Sequence, residues 1–221
     1  MNPFLIKILK IILIFLLMIN CDEKKEIIIS SIANENIVNK NDTIIDSEFN
    51  FEQVFYGKDI PIQIINNQRL FDVYYYGYDG KIHKGQIVSH YSVVNDLKNV
   101  FDNLFNDKFP IYSVIPVNAF DWDDNKSMLA NNTSCFNYRT TKSGKMSEHA
   151  KGLAIDINPL NNPYISRSKK IYPSGAIYDY DTKGTINPNS NIIKFFKEIG
   201  WKWGGDWIYS KDYQHFSLSG R

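Results

Sequence analysis

Apolar residues recur at helical spacing in two stretches of the chain. Val93, Leu97, Val100, Phe101, Leu104 and Phe105 share one face of a predicted helix, and Ser92 stands where a cap would. Ile192, Ile193, Phe195, Phe196 and Ile199 make the apolar face of a second helix over residues 191–199, which Gly200 ends. Residues 70–76 and 84–89 flank Gly77-Tyr78-Asp79-Gly80, a turn sequence, and predict a hairpin. Residues 109–117 and 153–157 have the pattern of buried strands, and residues 207–209 and 214–218 that of a terminal strand pair. Helices and strands do not alternate regularly. The prediction is therefore an α+β fold, a largely antiparallel sheet with flanking helices, and not a doubly wound one.

The first fifty residues follow a different rule. Lys7 and Lys10 precede nine apolar residues, 11–19, and then Asn20-Cys21. Nine residues are too few for a spanning helix, which needs about 20, so residues 1–20 are expected to be an export signal. Leu17-Met18-Ile19-Asn20-Cys21 resembles a bacterial lipobox, which implies a lipid on Cys21, a membrane anchor and a place in the cell envelope. Residues 21–50, rich in Asn, Asp, Glu, Lys and Ser, are expected to be a polar tether, although Ile27-Ile28-Ile29 can add a strand. The folded domain is expected over residues 51–221.

Composition narrows the functional classes. A hydrophobic content of 43% over 221 residues supports one substantial core, and a net charge of +1 gives no field for nucleic acid. A monomer is expected. With Cys21 lipidated, Cys135 has no disulfide partner and is expected to be a small buried residue.

The candidate chemistry lies in Ser147-Glu148-His149-Ala150-Lys151-Gly152-Leu153-Ala154-Ile155-Asp156 and in Asp212-Tyr213-Gln214-His215. Two histidines and a carboxylate can hold a zinc ion with its fourth position open to water, the arrangement of a hydrolytic centre, and a further carboxylate can take a proton from that water. Seven residues separate His149 from Asp156. That is about 10.5 Å along a helix or about 23 Å along a strand, too far for two ligands of one metal. The chain must fold back between them, and Gly152 permits the bend. Asp156 would then be a lone carboxylate in an apolar strand, costly unless paired or metal-bound. Asp212 and His215, three apart, allow one to bind metal while the other faces the water. His83, in a polar hairpin, is expected to be exposed, and His90 to be structural.

Asn131 through Arg139, the block from Ser147 to Pro159, Asn162-Pro163-Tyr164, Gly200 through Trp207 and Asp212 through Phe216 together resemble the zinc D-alanyl-D-alanine carboxypeptidase family. This VanX/VanY-like group also contains phage endolysin peptidases that cut between L-Ala and D-Glu. The resemblance spans roughly residues 60–218. It implies a hedgehog-like D,D-peptidase fold, with His149, Asp156 and His215 as zinc ligands and Asp212 as the catalytic acidic residue. It also implies that Arg139 polarises the scissile carbonyl and that Ser147 lines the substrate or supports a ligand. The implied substrate is a peptidoglycan stem peptide, cut as a carboxypeptidase or, alternatively, as an L-Ala–D-Glu or crosslink endopeptidase. A non-enzymatic surface binding module on the same fold is a third reading, and it has no need of Asp212 or Arg139.

Overall fold

The computed structural model describes residues 42–140 and 144–221, and Thr43–Arg221 form one compact unit. The export signal, Cys21 and the tether as far as residue 41 lie outside the described residues, as does the isoleucine cluster at 27–29. Among the described residues no helix is long and apolar enough to cross a membrane.

In chain order the elements are β1 (Ile44–Ile45), α1 (Ile62–Asn66), β2 (Gln68–Tyr76), β3 (Ile82–His90), α2 (Val94–Asn106), β4 (Ser113–Val114), α3 (Asp124–Leu129), β5 (Asn132–Thr133), α4 (Glu148–Lys151), β6 (Ala154–Asp156), β7 (Tyr164–Ile165), β8 (Ile171–Tyr172), α5 (Asn191–Glu198), β9 (Lys202–Trp203), β10 (Lys211–Asp212) and β11 (His215–Ser217). The mixed α and β class is as the sequence predicts. The strands, however, are divided among several small sheets instead of one. The orders are β1-β3-β2, β10-β7-β8 and β6-β11-β9, all antiparallel except the β1–β3 pair, with a separate parallel pair β4-β5.

The predicted hairpin is the largest element. β2 alternates, burying Phe71, Val73 and Tyr75, while β3 is central in its sheet and is buried on both faces. Ile87 belongs to the main core and its neighbour Val88 to a second, smaller core around Val54, Phe55, Trp122 and Phe136. α2 covers the main-core side through Leu97, Val100, Phe101 and Leu104, and α5 joins it through Ile192, Ile193 and Phe196. Gly200, in the left-handed region, follows α5 as expected.

Several local expectations are corrected. The compact unit begins at Thr43 and not at residue 51, because β1 pairs with β3 and Asp46 accepts hydrogen bonds from Tyr75 and His83. His83 is consequently not exposed: its ring lies between Asp46 and Asp79, at 3.0 and 3.2 Å, and stacks on Tyr75. Ser92 does not cap α2, since a short 3-10 turn over Tyr91–Val93 precedes that helix and His90 Nδ1 caps the turn by accepting from Ser92 N. Residues 109–117 form only the two-residue β4. Pro110 and Pro116 have no N–H for a ladder, and the Tyr112 and Ile115 amides donate to Asn158 and Asn132 side chains instead. Residues 207–209 form no strand, and β11 pairs with β6 and β9.

Gly152 supplies the bend that the ligand spacing requires. It ends α4 with φ +73°, and a Cβ there would collide with Gln68 Oε1 and the His90 amide nitrogen. Gly80, in the hairpin turn with φ +78°, has open space around it. Gly80→Ala should therefore cost only the left-handed penalty of about 1 kcal/mol, whereas Gly152→Ala should cost at least about 2 kcal/mol, as measured by urea unfolding.

Candidate metal centre

α4 and β6 present two of the predicted ligands and β11 the third. Ser147 N-caps α4, its hydroxyl accepting from the His149 amide at 3.3 Å. That fixes the turn which carries His149. After Gly152 the chain enters β6, and Asp156 stands directly opposite His215 of β11 in the antiparallel register. Directly opposite residues project from the same face of a sheet, so this pairing turns both side chains toward His149.

The three side chains converge. Asp156 Oδ1 lies 3.0 Å from His215 Nδ1, Asp156 Oδ2 lies 3.2 Å from His149 Nε2, and the two imidazole nitrogens are 3.2 Å apart. One donor atom from each residue lies within 4.8 Å of the others, and both histidines are 5% exposed. The outer ring nitrogens are taken up by main-chain carbonyls: His149 Nδ1 donates to Cys135 O at 2.7 Å and His215 Nε2 to Arg221 O at 3.1 Å. Each ring is thereby held in the tautomer whose lone pair points inward, the usual support for a metal-binding histidine. Tetrahedral ligands at 2.0–2.1 Å from zinc lie about 3.3 Å from one another, close to the separations seen. Two inward lone pairs and a carboxylate gathered this tightly fit a divalent cation.

Charge around the group is tightly coupled. Burial raises the Asp156 pKa, but the two imidazoles outweigh it and hold the carboxyl well below the usual range. Burial favours neutral His215, yet its hydrogen bond to Asp156 raises the pKa overall. Asp212 lies within this field but is not one of the three converging donors. Burial pushes its carboxyl up to about 7, His215 opposing and Asp156 adding to the shift, and its Oδ1 is shielded from water without a hydrogen-bond partner. A cation nearby would pull that value down again. Gly204 allows this packing, since a Cβ there would stand 2.5 Å from Asp212 O and 2.8 Å from Asp212 Cβ.

Arg139 sits on the segment beside α4, where its carbonyl accepts from the Ser147 amide, and its guanidinium pairs with Asp124 of α3 at 3.2 Å. Arg139 Nε is buried without a partner. Cys135 is 2% exposed, as expected, and burial raises its thiol pKa far above the ordinary value, which leaves no thiolate for nucleophilic chemistry. Sequence reasoning missed the carbonyls of Cys135 and Arg221, which carry no side-chain signal, and the Asp124 partner of Arg139. The Gly204-Gly205 pair was the one visible hint of close backbone packing.

Residues 140–218 match the family described as D-alanyl-D-alanine carboxypeptidase. The matched stretch of this chain contains His149, Asp156, Asp212 and His215, while Arg139 stands one residue before it. The chain is also 33% identical over 85 residues to the peptidoglycan L-alanyl-D-glutamate endopeptidase CwlK of Bacillus subtilis (strain 168). That alignment covers 37% of this chain and 45% of CwlK, so the chain spans less than half of that relative's length. No solved structure matches the chain.

Calorimetric titration with Zn2+ should show one site in the parent protein. His149→Ala, Asp156→Ala and His215→Ala should each weaken binding by at least a hundredfold, and Asp212→Asn should keep one equivalent, because only the first three present converging donors.

Proposed function

We propose that the chain is a zinc-dependent peptidase of peptidoglycan stem peptides, acting as a D-alanyl-D-alanine carboxypeptidase on a hedgehog-like D,D-peptidase fold. The observation that carries this reading is the His149, Asp156 and His215 cluster with Asp212 beside it, an arrangement of three ligands and a separate carboxylate. The family description supports the carboxypeptidase, and the likeness to CwlK supports a second reading, endopeptidase action on the same stems. The sequence at residues 17–21 supports a protein held at the cell envelope by a lipid on Cys21.

His149, Asp156 and His215 would hold the zinc, which when bound supplies a Lewis acid and lowers the pKa of water toward about 7. The chain's own groups do the rest. Asp212 takes a proton from the attacking water and gives it to the leaving amine, a task suited to a carboxylate shielded from solvent. Arg139 donates hydrogen bonds to the oxyanion that forms at the scissile carbonyl. Asp124 neutralises and orients that guanidinium until substrate arrives. A binding module would require neither the unpartnered Asp212 oxygen nor an arginine held by Asp124 on the segment that leads into α4.

Mass spectrometry of intact pentapeptide stems incubated with the full-length, zinc-loaded chain in detergent tests the proposal. Release of single D-Ala, abolished by chelator and restored by zinc, is expected. Cleavage within the stem would instead establish the endopeptidase reading, and no product from a folded, metal-loaded protein would refute both. Asp212→Ala should lower turnover by about 10²–10⁴-fold while metal content stays at the parent level. Cys135→Ala should retain turnover within about threefold. A folded, zinc-loaded but inactive Cys135→Ala variant would contradict the metal-water mechanism.

A further inference from the structure

The small sheet β10-β7-β8 extends outward from the proton-accepting carboxylate. In its register Asp212 is directly opposite Tyr164, and Tyr164 directly opposite Tyr172. Residues directly opposite each other in an antiparallel pair project from one face, with Cβ atoms about 5 Å apart. Asp212 Cβ and His215 Cβ lie 2.8 and 3.2 Å from one point, the position that a Cβ on Gly204 would take, which marks this as the face toward the metal centre. The two tyrosine rings therefore continue that face away from Asp212. They stack on each other, with ring centroids 6.0 Å apart and planes inclined by 27°, and both residues are half-buried. Ile165, Ile171 and Lys211, the alternate residues of the same strands, belong to the opposite face.

We propose that Tyr164 and Tyr172 form an aromatic wall that determines substrate length, gripping the part of an extended peptide two to three residues from the scissile bond. Two cross-strand steps place Tyr172 about 10 Å from Asp212, which an extended peptide covers in about three residues. The stacked pair offers a row of apolar ring edges, with the outer plane of each ring at its ends, suited to the small aliphatic side chains and amide planes of such a peptide. With β7 tied to β8 and β10 on its two sides, the surface is already formed before substrate binds, so little ordering cost remains. Because the rings lie beyond the reacting groups, they act by binding the distal part of the substrate and are not catalytic residues.

This inference rests on the peptidase reading, and kinetics with two substrates separate the two ideas. The full-length zinc-loaded chain is assayed on the intact pentapeptide stem and on the shortest stem fragment the parent cleaves. Tyr164→Ala and Tyr172→Ala should each raise KM for the intact stem about tenfold, leaving kcat within about twofold and the short fragment unaffected. Tyr164→Phe and Tyr172→Phe, which keep the rings, should behave as the parent. Equal losses on both substrates, a fall in metal content, or no change in either alanine variant would overturn the wall. If the parent cleaves neither substrate, the peptidase reading fails instead. Calorimetric binding of the intact stem to the metal-loaded proteins then decides the wall alone: at least tenfold weaker binding by the alanine variants supports it, and equal or absent binding refutes it.

Discussion

The register between β6 and β11 is the constraint on which the rest of this molecule depends. It sets Asp156 against His215, Ile155 against Phe216 and Ala154 against Ser217. Side chains alternate along a strand, so a slip of one residue would send His215 into the core and Phe216 to the site. Packing forbids the slip. Phe216 is fully buried and stacks on Phe196 of α5, centroids 4.0 Å apart and planes within 14°. α5 therefore does more than cover the core: its apolar face locks the register that aligns Asp156 with His215. The opposite edge of β6 is fixed as well, by a pair of main-chain hydrogen bonds between Asp156 and Ser134.

His149, the third member of the cluster, is tied to the same framework by the chain just after Ser134. Cys135 gives its carbonyl to the His149 ring, and the Asn137 amide donates to the His149 carbonyl. One short segment thus borders β6 and supports the helix that β6 follows. Around it, buried asparagines replace the regular ladders that short strands cannot provide. Asn158 accepts from the Tyr112 amide and donates to the Pro110 and Gly184 carbonyls, while Asn162 accepts from Ile186 and donates to Ile157, Asn158 and Gly184. A buried main-chain polar group without a partner costs about as much as a lost hydrogen bond, so these side chains make irregular backbone tolerable in the interior.

What the sequence discloses about this fold follows from which interactions are periodic. α2, α5 and the β2–β3 hairpin repeat one chemical choice at fixed spacing, and they lie where the pattern indicates. The convergence of His149 and Asp156 was legible for another reason: a histidine, a glycine and a carboxylate at that spacing have few uses in an apolar strand. Residues 109–117 misled because their apolar pattern ignores the two prolines, whose missing amides pass the hydrogen bonding to Asn132 and Asn158, remote in sequence. Asp124 was silent for a similar reason, since nothing local to it points to Arg139 fifteen residues later. Main-chain carbonyls that orient ligands are invisible to any reading of side chains.

The same geometry sets function against stability. Holding two histidines and a carboxylate within 3.2 Å gives up solvent for all three, and because the outer ring nitrogens donate to the Cys135 and Arg221 carbonyls, each neutral ring turns a lone pair toward the Asp156 carboxylate and is repelled by it. An apolar side chain in place of Asp156 would fill this interior at lower electrostatic cost, as replacement of buried charged groups often does. The fold instead spends the stacking of Phe196 on Phe216, the Gly152 bend and the asparagine scaffold on keeping the charged groups converged. A cation bound there would relieve the repulsion, because the donors need not be reorganised to receive it. Asp212 is left outside that convergence by a single turn of sequence. It shares the field of the cluster without being one of its three converging donors, and that separation leaves two carboxylates in different settings, one between two imidazoles and one with an oxygen free of partners.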